Sequence, residues 1–369
     1  MPPVRLHWSH LFEEVVTSGL CTGCAGCVIA CPHAVLGYDD SCHPYHLEDE
    51  GGAGGCIHGD KGCTLCTRAC PRFRDWEAEA DSHLWGRPRN PDEVVGVIDE
   101  ILLARAGNAE ILEAGQDGGL VSAILIWCLE NNEIDGALVS KLAADGTAWE
   151  PVPAFVSTPD EILAAAGSRY TYSANTLAYA EALDAGAEKL AMVGMSCQAS
   201  VLPMMQTRGV RKVARRFSLN IGLLCSKTFD DRIFEELIGD QYGIERDSIT
   251  KMNIKGKFQV WTDGGGYEEI PLKDCQPFTR EGCKSCPDFA AQHADISTGG
   301  LGQAGGWTLT LVRTERGREI IERMKKDGAI EVRPGSDDPG AISLMERLGA
   351  KQRDRWPDKE AAPAAHSAD

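Results

Sequence analysis

Fifteen cysteines are distributed over 369 residues, and most stand in patterns that bind metal. Cys21, Cys24, Cys27 and Cys31-Pro32 read C-x2-C-x2-C-x3-C-P, and Cys63, Cys66 and Cys70-Pro71 repeat C-x2-C-x3-C-P, with Cys56 just upstream. A cubane iron–sulfur cluster needs four thiolates converging on one centre. Short C-x2-C turns deliver three from a single loop, and with this spacing the last cysteine of each run serves the other run's cluster. That rule assigns Cys21, Cys24, Cys27 and Cys70 to one [4Fe–4S] centre and Cys56, Cys63, Cys66 and Cys31 to another. Structural zinc is the rival, since paired C-x2-C also serves it. The three-cysteine run and the Cys-Pro closing both halves count against zinc. Cys42 is the alternative to Cys56, which is preferred for its closeness to the second run.

Four further cysteines suggest a third centre. Cys197 follows the apolar run Leu190 to Met195, and Cys225 ends the run Phe217 to Leu224. In a parallel sheet both would emerge at the carboxyl edge, where such folds bind ligands. Cys283 and Cys286 add a C-x2-C pair, which can close a third [4Fe–4S] site. Core packing is the plainer reading of a lone buried thiol, and it fits Cys128, inside an apolar helix.

Clusters move single electrons, so a wired chain usually ends at a centre that handles two. Three glycine-bearing stretches are candidates for that cofactor. Gly115-Gln116-Asp117-Gly118-Gly119 opens a helix, whose N-terminal N–H groups and dipole favour a phosphate or a flavin edge. Gly167-Ser168-Arg169-Tyr170-Thr171-Tyr172-Ser173 offers a cation, hydroxyls and aromatic rings together. Asp295, Ser297, Gly299 and Gly300 read as a close-approach loop. None fits G-x-G-x-x-G after a strand, so a dinucleotide fold of that type is not supported.

The positioning elements follow from pattern. Hydrophobic content of 43% and charged content of 25% are those of an ordinary globular chain. The net charge of -18 disfavours nucleic acid and anionic membranes as partners. Met1 to His10 lacks an apolar signal core, and Leu120 to Leu129 is too short to span a bilayer. A soluble, cytoplasmic protein is expected, whose cysteines serve metal rather than disulfides. Residues 1–75 should form a small ferredoxin-like α+β module and 76–95 a linker. Residues 96–350, where strands alternate with helices, should form a larger α/β domain with a mostly parallel or mixed sheet. An acidic, Gly-rich insertion is expected at Glu48 to Gly55, and 351–369 should be a disordered tail.

In combination these segments resemble the coenzyme F420 hydrogenase/dehydrogenase β-subunit family over roughly residues 10–330. The resemblance rests on the double cysteine run, Gly115-Gln116-Asp117-Gly118-Gly119-Leu120-Val121-Ser122 and Gly167-Ser168-Arg169-Tyr170. It extends to Gly194-Met195-Ser196-Cys197-Gln198, Gly222-Leu223-Leu224-Cys225, Cys283-Lys284-Ser285-Cys286-Pro287-Asp288-Phe289 and Asp295-Ile296-Ser297 with its glycines. It implies FAD, iron–sulfur clusters and electron transfer between the deazaflavin coenzyme F420 and ferredoxin or a partner redox subunit. Cys197, Cys225, Cys283 and Cys286 match the family's flavin-proximal cluster. The runner-up is a ferredoxin-dependent reductase of a tetrapyrrole or another small substrate. A third reading is an electron-transfer subunit that has no activity alone.

Overall fold

The computed structural model describes residues 5–48, 55–302 and 305–357. Most of the expected insertion (49–54) and the end of the expected tail (358–369) lie outside the described residues. Thirteen strands are assigned among them: β1 Leu36–Tyr38, β2 Pro44–His46, β3 Glu100–Ala106, β4 Gly136–Leu142, β5 Pro151–Val156, β6 Leu190–Met195, β7 Phe217–Leu223, β8 Ile249–Ile254, β9 Phe258–Thr262, β10 Tyr267–Ile270, β11 Ile296–Gly299, β12 Thr308–Val312 and β13 Ile330–Pro334.

Eight of these strands form one mixed sheet in the order β13-β3-β12-β11-β7-β6-β4-β5. Its centre is parallel: β4 pairs with β6, β6 with β7 and β7 with β11. The remaining pairings, at both flanks, are antiparallel. Strands buried on both faces read as continuous apolar runs, and Leu190 to Val193 is one. Alternate residues then serve two cores. Ala137, Val139, Ala191 and Val193 face the helices Leu120–Glu130 and Glu315–Lys326. Leu138, Leu190 and Met192 face Leu202 and Met205 of the helix Val201–Thr207. The helix Leu120–Glu130 is buried continuously from Ser122 to Cys128, as an element covered on every side should be. β5 escapes the pattern reading because Pro151 and Pro153 interrupt it; as an edge strand it tolerates residues that cannot donate to a ladder.

The N-terminal module joins a hairpin, with Leu36 opposite His46, to the helices Gly26–Ala30 and Leu65–Ala69. It does not hang from the larger domain. Ala25, Ala30 and Ala69 share the second core with Val201, Leu202 and Met205. The expected linker contains a helix, Trp76–Trp85, whose Trp76 and Ala80 pack on Met204 and Trp356. Trp76, Ala80 and Leu84 recur at helical spacing, a signal hidden among the surrounding charges. The helix Pro339–Arg353 likewise runs past residue 351, where a disordered tail was expected to begin. Its last turn is held by the buried Gln352. Strands β8, β9 and β10 make a separate antiparallel sheet around Phe229 and Phe258. Among the described residues, no helix is long and apolar enough to cross a membrane.

Candidate redox site

At the carboxyl edge of the parallel strands, Cys197 lies in the short helix that follows β6, and Cys225 lies two residues beyond β7. The Cys225 N–H donates to the Phe289 carbonyl at 2.9 Å, which draws the Cys283–Cys286 loop onto the strand ends. The Thr228 N–H donates to Cys283 Sγ at 3.5 Å. Burial pushes the Cys225 thiol well up, and Cys283, Cys197 and Cys286 push it further, so the four sulfurs stand together.

The module's cysteines fall into two groups of four. Burial, then Cys70, Cys24 and Cys21, raise the Cys27 thiol. Burial, then Cys63, Cys31 and Cys56, push Cys66 up to about 12. Cys42 instead neighbours Tyr38 and Arg280. Thiols so raised are protonated in the metal-free chain, and any metal they bind must displace those protons. Among the described residues, no three His, Cys, Asp or Glu side chains surround a point that one ion could fill. A cubane takes one thiolate at each of four irons and needs its ligands spread around a larger centre.

The third group abuts the first. A Cβ on Gly282 would meet the backbone of Cys21 and Thr22, so only glycine lets the Cys283 loop lie this close. Arg280 donates to the Thr22 carbonyl at 3.2 Å, and its guanidinium lies 3.8 Å over the Tyr172 ring. The Tyr172 hydroxyl is 3.8 Å from Cys197 Sγ. Arg72 touches both groups: its N–H donates to Cys70 Sγ at 3.4 Å and its Nη2 to Cys286 Sγ at 3.1 Å. The C-terminal helix closes the far side, with Gln352 donating to the carbonyls of Cys225 (3.1 Å) and Asp288 (2.9 Å). Pattern reading passed over Arg72, Arg280 and Gln352, and it singled out Tyr172 only as part of the Gly167–Ser173 cofactor stretch, not as a neighbour of Cys197. The available signal was two arginines beside cysteine motifs in an acidic chain.

The glycine stretches divide. Gly119, at φ +65°, precedes the helix Leu120–Glu130, and Gly118 donates to Thr308 Oγ1 of β12 at 3.1 Å. A Cβ on Gly300 would fall on the Asp117 carboxylate, so these two loops meet at the carboxyl edge. Asp117 pairs with Lys255 at 3.3 Å, and Tyr170 donates to Asn253 at 3.3 Å, which brings the Ser168–Tyr170 stretch against the β8–β9 hairpin. Arg169 donates to the carbonyls of Ala165 and Gly167, and burial alone lowers it to about 10. No carboxylate pairs with it among the described residues. Gln116 is half-buried and Ser122 is buried in the first helical turn.

Asp295 and Ser297 do not belong to this assembly. The expected loop is the strand β11, slotted between β7 and β12, and only Gly299 and Gly300 reach its carboxyl end. Asp295 sits at the opposite end, accepting from the Asn220 N–H at 2.8 Å and the Thr314 hydroxyl at 2.5 Å. The fully buried Ser297 hydroxyl donates to Ala291 and accepts from Arg313. A cavity of about 210 Å³ opens at this amino edge between Leu202, Phe217, Asn220 and His293 and contains no cysteine.

Residues 101–179 match the family described as coenzyme F420 hydrogenase/dehydrogenase, beta subunit N-term, and residues 187–338 match its C terminus. The coenzyme F420 hydrogenase subunit beta of Methanothermobacter thermautotrophicus is 35% identical over 71% of this chain and 94% of its own length. The coenzyme F420-dependent sulfite reductase of Methanocaldococcus jannaschii is 30% identical over 88% of this chain and 48% of its own length. In the solved F420-reducing [NiFe] hydrogenase complex from Methanosarcina barkeri, a chain superposes with a TM-score of 0.68 at 31% identity, covering 72% of this chain and 92% of that one. With matches over more than half its length and relatives this similar, the chain belongs to the coenzyme F420 hydrogenase/dehydrogenase beta-subunit family.

Proposed function

We propose that this chain is an iron–sulfur flavoprotein oxidoreductase that moves electrons between coenzyme F420 and ferredoxin or a partner redox subunit. One observation carries the reading: three groups of four cysteines lie next to one another in series. Cys66 neighbours Cys27 inside the module, and Cys24 neighbours Cys197 across the junction. Cys21, Cys24, Cys27 and Cys70 would hold one [4Fe–4S] cluster. Cys31, Cys56, Cys63 and Cys66 would hold a second, and Cys197, Cys225, Cys283 and Cys286 a third. The donor set fits: all ligands are thiols, and Arg72 beside them keeps Nε and Nη1 buried with no protein acceptor. Cluster sulfur would supply that acceptor.

Gln116, Gly118, Gly119, Ser168, Arg169, Tyr170, Gly299 and Gly300 would surround FAD at the carboxyl edge, beside the third group. A flavin bound there supplies the exchange of one hydride for two single electrons. Arg169, a half-buried cation that no carboxylate pairs with among the described residues, suits the flavin pyrophosphate. The αL glycine Gly119 lets backbone approach the cofactor as a side chain would not. Tyr172 and Arg280 are buried at the junction of the first and third cysteine groups, Tyr172 beside Cys197 and Arg280 beside Thr22.

Anaerobically purified protein should contain about twelve irons and one flavin per chain and should bleach when reduced F420 is added. About eight irons without flavin would sink the proposal, whereas full cofactors without bleaching would move the substrate elsewhere. A second reading, a subunit active only inside an assembly, is favoured by the solved relative's occurrence in a hydrogenase complex. Co-purified redox subunits, with bleaching only in their presence, would support it.

A further inference from the structure

Arg72 is fully buried and immediately follows Cys70-Pro71. Its backbone N–H donates to Cys70, in the first cysteine group, and its Nη2 donates to Cys286, in the third. No other residue among the described ones hydrogen-bonds to sulfurs of both groups. The guanidinium lies 4.9 Å from the Trp76 ring and 5.5 Å from the Trp356 ring, two indoles that seal it from solvent. Its Nε and Nη1 are buried with no acceptor, and the nearby Glu77 and Asp288 carboxylates act on it through space without forming a direct ion pair among the described residues. Leaving a charged donor unsatisfied in a buried site costs several kcal/mol. An acceptor outside the polypeptide would complete the site.

We propose that Arg72 is a positioning residue that raises the reduction potential of the third cluster and couples it to the adjoining cluster of the N-terminal module, its Nε and Nη1 donating to cluster sulfur. This rests on the cluster assignment above. Reduction adds one negative charge to a cluster, and N–H donors and a fixed cation beside its sulfurs favour that form. Arginine suits the task better than lysine. Its guanidinium keeps its charge when buried and holds five N–H groups in a rigid fork, enough to serve Cys286 and a second acceptor at once. The two indoles help to keep this site dry, so the cation's field on the neighbouring sulfurs is strong although Glu77 and Asp288 offset part of it. Because one residue spans both groups, the same substitution alters the potential of one cluster and its electrostatic contact with the next.

The test uses the full chain, purified anaerobically, as Arg72→Gln and Arg72→Lys, with iron counted and midpoints read by EPR-monitored titration. A Cys286→Ser variant identifies the third cluster's signal. Arg72→Gln should disfavour one-electron reduction of that cluster by tenfold or more, about 59 mV, with a smaller drop in Arg72→Lys. The cluster remote from Arg72, the one at Cys66, should keep its midpoint. Unchanged midpoints in iron-replete variants, or an equal shift in all three clusters, would overturn the inference. If Arg72→Gln loses iron, Arg72→Lys decides: a wild-type midpoint overturns the proposal and a lowered one supports it. A wild-type protein with only about eight irons would instead remove the third cluster itself, an outcome distinguishable from both.

Discussion

Asp81 offers a measurable test of how the helix Trp76–Trp85 is held. It lies on a helix that local pattern did not reveal, and its side chain is 2% exposed. Arg89 grips it through Nε and Nη2, both at 2.6 Å, and His293 Nε2 lies 2.8 Å from Oδ1. Asp81→Asn keeps the shape and one acceptor but removes the charge. Breaking a buried ion pair on one side costs about 3–5 kcal/mol. Arg89 retains Gln292 and the nearby Glu77 carboxylate, which argues for the low end, about 3 kcal/mol. At 1.4 kcal/mol per decade that is about two decades in the opening constant. Amide hydrogen exchange of the helix should therefore accelerate about a hundredfold at neutral pH, with little change in the helix Leu120–Glu130. Burial alone would raise the Asp81 pKa, but the bonds to His293 and Arg89 outweigh it and hold the carboxyl well below its usual range. Its contribution is thus fully present above the unfolded carboxylate pKa of about 3.9 and is lost as pH falls through the depressed folded value. The difference between variant and wild type should be flat at neutral and mildly acidic pH and shrink only below about 4. An acceleration under threefold at neutral pH would refute the argument, as would a uniform acceleration across the chain.

Three shorter expectations accompany it. Cys56→Ser should lose the iron of one cluster, about four atoms, while Cys42→Ser keeps full iron; the reverse pattern would reassign the ligand. Gly282→Ala forces a Cβ into the Cys21 backbone and should expose the junction, read as faster proteolysis between module and domain with slower iron incorporation. Arg169→Gln should weaken flavin retention by about tenfold, the scale of one lost charge-assisted bond, measured by flavin fluorescence after dialysis. Unchanged retention would exclude Arg169 as the pyrophosphate cation.

Some of this molecule could be read locally. The C-x2-C turns are short-range features, so their spacing already grouped Cys21, Cys24 and Cys27, and the crossover rule paired them with Cys70. The runs Leu190 to Met195 and Phe217 to Leu224 announced central strands, because a strand buried on both faces has no polar phase to hide. Gly118 and Gly119 announced a helix start. The mixed α/β architecture follows from such elements alternating along the chain.

Other decisions belong to contacts between distant segments. The stretch from Asp295 to Gly300 has the glycine content of a loop. It becomes the strand β11 because β7 and β12 offer ladders on both sides, which turns Asp295 and Ser297 into internal struts. The choice of Cys56 over Cys42 as the neighbour of Cys66 depends on where the β1–β2 hairpin falls, beside Arg280 rather than beside the second run. The segment 76–85 is a helix because Met204 and Trp356 cover its apolar stripe. Trp356 in turn packs over Arg72 and Trp76. Sequence by itself determined how the cysteines are grouped along the chain and which runs had to be strands, since both are written in spacings of a few residues. Only the tertiary structure decided that Arg72 lies between two cysteine groups, because a buried cation's partners come from segments more than two hundred residues apart.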